Sequence, residues 1–187
     1  MKRSIVILLT VLALASTASA ASKTAQNSGN WNSWLTWFGS APVAGDTVTI
    51  NSGVTLTINT ANASCSSLSI GSGSGTATLR FATSGNPKLT VANNITVGNS
   101  GAANRVGAIT FTSGSTLICG KDVIHGTTGN QASVIDMTAG GTFIIGDDLT
   151  VSSTGAIWTP GLGTVELKGT NSFPAIYSSF NNLTING

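Results

Sequence analysis

Few side chains in this sequence can do chemistry, since it carries one histidine, two cysteines and six acidic residues. A nucleophilic triad needs a histidine between a nucleophile and an orienting acid, and the spacing around His125 supplies neither. The acidic residues offer more. Asp122 and Asp148 stand 26 residues apart, with Asp147 adjacent and Asn94 in the matching place one repeat earlier. If the turns that carry them stack, the carboxylates come within about 5 Å of each other, the spacing of paired strands. Such a pair takes up a proton or attracts a hard cation such as Ca²⁺. Lys121 offers neutralisation without a metal. The simpler expectation is a turn ladder, with neither metal nor cofactor.

Aromatic chemistry is concentrated at Trp31, Trp34, Trp37 and Phe38. In a row on a surface, these rings would stack on sugars; folded over the end of a sheet they would act as a cap. Cys65 and Cys119 invite a disulfide in an oxidising compartment. The repeat described next puts them about two strand spacings apart, near 10 Å and beyond disulfide reach.

The elements that position these residues are short strands. Val48-Thr49-Ile50, Leu56-Thr57-Ile58, Leu68-Ser69-Ile70, Leu89-Thr90-Val91 and Ile95-Thr96-Val97 each alternate apolar and hydroxylic residues, with Gly, Asn and Ser between them. Three segments superpose without gaps: Lys88–Gly98, Thr116–Gly126 and Thr142–Ser152. Each is two short strands joined by a tight turn. Together with the preceding strands (Leu79–Phe81, Ile109–Phe111, Val134–Asp136) they make three strands per unit, at a period in the twenties. That pattern predicts an all-β, right-handed parallel β-helix, a three-faced solenoid of about five coils and the start of a sixth. Val91, Cys119 and Ile145 would form one interior column, and Leu89, Leu117 and Phe143 the next. His125 aligns with Val97 and Val151, so it reads as a coil residue and not a catalyst.

Residues 1–20 have the three parts of a secretory signal: Lys2 and Arg3, an apolar run, then Ala18-Ser19-Ala20. Cleavage is expected after Ala20, leaving residues 21–45 as an N-terminal segment with a Trp-rich cap and 46–187 as the solenoid. Of 8 basic residues, Lys2 and Arg3 leave with the signal, so 6 face 6 acidic ones. A neutral chain without a basic cluster is a poor nucleic-acid ligand, because that affinity comes largely from phosphate neutralisation. No apolar stretch after the signal is long enough to cross a bilayer as a helix.

Gly29–Gly39, with its three tryptophans, leads into Ala41-Pro-Val-Ala-Gly-Asp46, the paired strands to Ile58, and Ala63–Gly71. This run resembles the first coils of large bacterial cell-surface β-helix proteins. It is also similar to the eight-conserved-glycine extracellular domain. Phe180–Gly187 resembles the strand that opens a further repeat in such proteins. The resemblance implies a surface or secreted β-helix.

A lyase or hydrolase on this fold would need clustered carboxylates or Ca²⁺ with a base, so no enzyme activity is expected. Leu183, Thr184 and Ile185 begin a coil with no evident cap. They are expected to form an assembly edge where copies of the chain add head to tail, giving a filament or surface layer. The polar stretch Ala21–Asn30 is an alternative donor for strand addition. The second functional expectation is a carbohydrate-binding module that uses the tryptophans on an extracellular polysaccharide. The third is a piece of a longer surface protein or polysaccharide-active enzyme.

Overall fold

The computed structural model describes residues 19–99, 103–169 and 171–187. Most of the secretory-signal segment, residues 1–18, lies outside the described residues. The first coil holds β1 (Ser22–Ala25) and β2 (Gly29–Asn30), followed by a one-turn helix, α1 (Trp34–Trp37). Four complete coils follow: β3 (Thr47–Ile50), β4 (Thr55–Ile58) and β5 (Ala63–Cys65); β6 (Ser67–Ile70), β7 (Gly75–Phe81) and β8 (Lys88–Val91); β9 (Ile95–Val97), β10 (Arg105–Thr110) and β11 (Thr116–Cys119); β12 (Val123–His125), β13 (Val134–Asp136) and β14 (Thr142–Ile145). The sixth contains β15 (Leu149–Val151), β16 (Ile157–Thr159) and β17 (Thr164–Leu167), and β18 (Asn182–Ile185) begins a seventh.

From β3 to β17, strands three apart in sequence pair in parallel; β1 with β3, β2 with β4 and β17 with β18 complete three six-stranded sheets. Sheet A runs β1-β3-β6-β9-β12-β15, sheet B runs β2-β4-β7-β10-β13-β16, and sheet C runs β5-β8-β11-β14-β17-β18. This is the three-faced parallel β-solenoid that the repeat predicts. Its interior columns are in register as expected: Val91, Cys119 and Ile145 in one, Leu89, Leu117 and Phe143 in the next. The same register carries Ile50, Ile70, Val97, His125 and Val151 along sheet A. At one corner Phe81, Phe111 and Phe143 stack at 5.3 and 5.5 Å between ring centroids. Each fully buried Leu, Ile or Phe contributes about 1.5–3 kcal/mol relative to exposure, and most interior positions are of this kind.

The structure extends the expected solenoid at its N-terminal end. The solenoid has one more coil than the spacing suggested, because β1 and β2 are already paired with β3 and β4. Residues 22–30 therefore pair into a first coil ahead of residue 46, with β1 and β2 as the outermost strands of sheets A and B. Ser22-Lys-Thr-Ala25 has only one small inward residue, so alternation gave no signal there. Cys65 is the last residue of β5 and shares a column with Val91 and Cys119, two rungs from the latter.

Turns between coils stack as closely as the strands. A Cβ built on Gly146 would lie 2.2 Å from the Gly120 carbonyl oxygen, and one on Gly120 would lie 2.3 Å from that of Ala92. By contrast, nothing lies within 4 Å of a Cβ on Gly39. Gly146→Ala is expected to destabilise the fold by about 1–3 kcal/mol, the usual cost of overpacking. Gly39→Ala should stay within about 0.5 kcal/mol. Urea unfolding midpoints for the two variants check the pair.

Candidate functional site

The four aromatic side chains at the first coil divide into an inner and an outer pair. Trp31 and Trp37 are buried, 3 % and 8 % exposed. Their rings meet edge to face at 5.5 Å, and the Trp37 indole N–H donates to the Trp31 carbonyl at 2.6 Å. These two are the cap, and burial removes them from any sugar-stacking row. Trp34 and Phe38 are 65 % and 63 % exposed. Phe38 ends α1 in the left-handed region, φ 50° and ψ 37°, a conformation that costs a non-glycine residue about 1–2 kcal/mol. α1 itself packs on β1 and β2, and Gln26 donates its backbone N–H to the Thr36 carbonyl.

Asp46 closes the loop that returns from this cap. One carboxylate oxygen accepts from the Ala21 backbone N–H at 2.8 Å and the other from the Val43 N–H at 3.0 Å. Those two donations, Val43 first, hold its pKa below the usual carboxylate value.

Inside the tube, His125 is fully buried in the column that Val97 and Val151 flank. Both ring nitrogens are engaged: Nε2 with the Ser133 carbonyl at 2.8 Å and Nδ1 with the Tyr177 hydroxyl at 2.7 Å. A carbonyl only accepts, so Nε2 carries the proton and Nδ1 accepts from the tyrosine. Burial lowers the His125 pKa to about 4. Cys65 and Cys119 are free and buried. Burial raises them to about 12 and about 11, and the charge of Asp46 adds to the effect at Cys65.

The expected acidic ladder is present on the outside. The Asp122 backbone N–H donates to Asn94 Oδ1 at 3.4 Å, and that of Asp148 donates to Asp122 Oδ1 at 3.3 Å. One oxygen each from Asp122, Asp147 and Asp148 lies within 4.8 Å of the others. Asp147 and Asp148 are exposed and Asp122 half-buried, so water screens the cluster. On sheet B, the Arg80 Nε–H donates to Thr57 Oγ1 at 2.9 Å beside a pocket that also touches Thr110 and Thr112.

The far end differs from its expectation. Residues 171–181 fold over the solenoid instead of leaving it bare. Tyr177 is only 4 % exposed. Its ring lies 4.8 Å from that of Trp158, Phe180 packs on both, and the Trp158 indole N–H donates to the Ser179 carbonyl. This aromatic plug packs on Trp158 of β16 in sheet B and reaches His125 of β12 in sheet A. Sheet C is not covered: β18 forms its outer edge, with Leu183, Thr184 and Ile185 all exposed. Among the described residues the exposed outermost strand at this end therefore belongs to sheet C. Sequence reasoning missed the plug because Phe173, Ile176, Tyr177 and Phe180 have no strand period; their aromatic density was the available signal.

No family model matches the chain, and no curated protein or solved structure is significantly similar to it.

The His125 geometry sets a pH dependence. Its pKa falls from 6.5 to about 4 on folding, so the unfolded chain takes up this proton first as pH drops. Its stabilising contribution is complete above pH 6.5 and is lost as pH falls from 6.5 towards 4, by about 3 kcal/mol. His125→Val, which copies the neighbouring rungs, should flatten that part of the profile. Unfolding free energies measured from pH 7 to pH 4 for both proteins check this, and parallel profiles would contradict it.

Proposed function

We propose that the mature chain is a non-catalytic extracellular structural protein whose solenoids associate end to end into fibres or a surface layer. One observation carries this reading. Among the described residues, every large apolar side chain that is strongly exposed lies at one end of the solenoid or the other. Trp34, Leu35, Phe38 and Val43 stand at the first-coil end; Ile157, Leu162, Phe173, Leu183 and Ile185 stand at the last-coil end. Outward positions on β3, β4, β6 and β8 are mostly hydroxylic, and the outward Ile118, Ile124 and Ile144 of later coils are half-buried. Apolar exposure of this kind marks contact surfaces. Because all strands run parallel, a second copy that adds to β18 continues the polarity of the first, and the contact does not close on itself. Support also comes from the secretory pattern of residues 1–20 and the resemblance of the first coils to surface β-helix proteins. The non-catalytic part rests on His125, which is buried with both nitrogens engaged.

The exposed Trp34 and Phe38 rings favour a second reading, a sugar-stacking surface on the outer side of the cap. The two readings separate experimentally. Residues 21–187 should form fibres in negative-stain micrographs, and L183K combined with I185K should yield a monomer in size-exclusion chromatography. A wild-type chain that stays monomeric, binds glycans and loses that binding in Trp34→Ala would replace assembly with the carbohydrate reading.

A further inference from the structure

The first coil ends in an arrangement that the return loop alone does not need. Asp46 is 2 % exposed, and both of its carboxylate oxygens are directed at backbone N–H groups. One of these belongs to Val43, three residues away in the same turn, where an aspartate ordinarily caps its own loop. The other belongs to Ala21, 25 residues away. Ala21 immediately precedes β1, and its carbonyl accepts from the Thr47 N–H at 2.9 Å, so the residue is held on both sides of its α-carbon. Ser19 and Ala20, just before it, are exposed and lie outside any strand.

Ala18-Ser19-Ala20 is also where the signal pattern places the cut. Hydrolysis of the Ala20–Ala21 amide adds one water, leaves a carboxylate on Ala20, and converts the Ala21 nitrogen into a free amine that is protonated at neutral pH. That nitrogen already lies 2.8 Å from Asp46 Oδ1.

We infer that Asp46 is the receptor for the new N-terminus: removal of the leader after Ala20 turns a neutral amide hydrogen bond into an ammonium–carboxylate pair that locks the first coil. Before cleavage no cation lies within ion-pair distance of Asp46 among the described residues. Lys23 acts on it only through space, and its ammonium donates to Ser40 Oγ. The other titratable group nearby is the Cys65 thiol, neutral because burial and Asp46 both raise it. A single carboxylate therefore faces a single new charge. The inference rests on the secretory part of the proposed function and is independent of assembly.

The sign of the pH dependence follows from the two partners. The amine gains a carboxylate, so its pKa rises above its ordinary value near 8. Its contribution is present below that value and is lost as pH rises through the raised one. Asp46 is already lowered, so the acid-side loss comes only as pH falls through that depressed value.

The test compares the 21–187 chain bearing a free Ala21 amine with the same chain acetylated on that amine, which keeps one N–H donor and removes the charge. Charge-assisted hydrogen bonds are about twice as strong as neutral ones. Acetylation is thus expected to raise the unfolding equilibrium constant about tenfold at pH 7, with the difference gone at pH 11. Asp46→Asn should make the free and acetylated forms equally stable. NMR titration of the Ala21 amine should give a pKa above 8, a readout that remains if Asp46→Asn does not fold. Equal stability of the two wild-type forms at pH 7, or an unshifted amine, overturns the pairing. N-terminal sequencing of the exported protein should begin at Ala21; any other first residue overturns the processing step even where the pair forms in the trimmed chain. A chain that passes all of these yet remains monomeric would reject only the assembly reading.

Discussion

Everything in this protein depends on one constraint: a strand can bury its apolar side only against strands directly above and below it, at a fixed spacing of about 4.8 Å. No coil has a core of its own. A residue is therefore selected less by its local sequence than by the two residues it stacks between. Cys65 and Cys119 illustrate this. They share one interior column with Val91 between them, where a small apolar side chain is wanted and a thiol serves. Their raised pKa values follow from that placement, and so does their separation, two rungs and too far for a bond.

The same constraint explains what was legible in the sequence. Positions with neighbours on both sides obey period two, so most strands from Val48 onward, though not β5 or β16, and the registers of three of the columns could be read directly. Asn94, Asp122 and Asp148 could be placed too, because they sit in turns that the repeat carries along. What could not be read lies where stacking stops. At β1 and β2 the inward residues are Ala25 and a glycine, so a real rung carries almost no hydrophobic signal. The aromatic residues there share one composition but two fates: Trp31 and Trp37 are buried while Trp34 and Phe38 face solvent. Neither spacing nor type distinguishes them, since the choice is made by a single turn of helix whose stability comes from the coil it covers. His125 was recognisable as an interior residue, but its partner Tyr177 is 52 residues away in a segment without period.

Both ends meet the same difficulty, unpaired backbone edges and an open apolar bore, and both meet it with aromatic side chains. Trp31 and Trp37 close one, Tyr177 and Phe180 with Trp158 the other. Aromatic rings suit the task because each covers a large apolar area at a small cost in conformational entropy while its N–H or O–H reaches a polar partner at the margin. The Trp37 and Trp158 indoles each donate to a carbonyl, and the Tyr177 hydroxyl engages His125.

Buried polar groups are expensive unless they are fully partnered, and here they are gathered towards the closures. Asp46 and Thr36 lie by the first coil, and His125, Gln131, Ser133 and Ser153 lie in the later coils towards the plug; Thr57 and Ser115 are the two in between. A uniform apolar tube would allow its coils to slip by one rung with little penalty, because every column offers similar partners in the next position. A histidine that must meet both Ser133 and Tyr177, and a carboxylate that must meet both Val43 and Ala21, have no equivalents one rung away. These sites therefore specify the register that the repeat itself leaves degenerate. Their location follows from the same logic, since a slip has to begin or finish at an end.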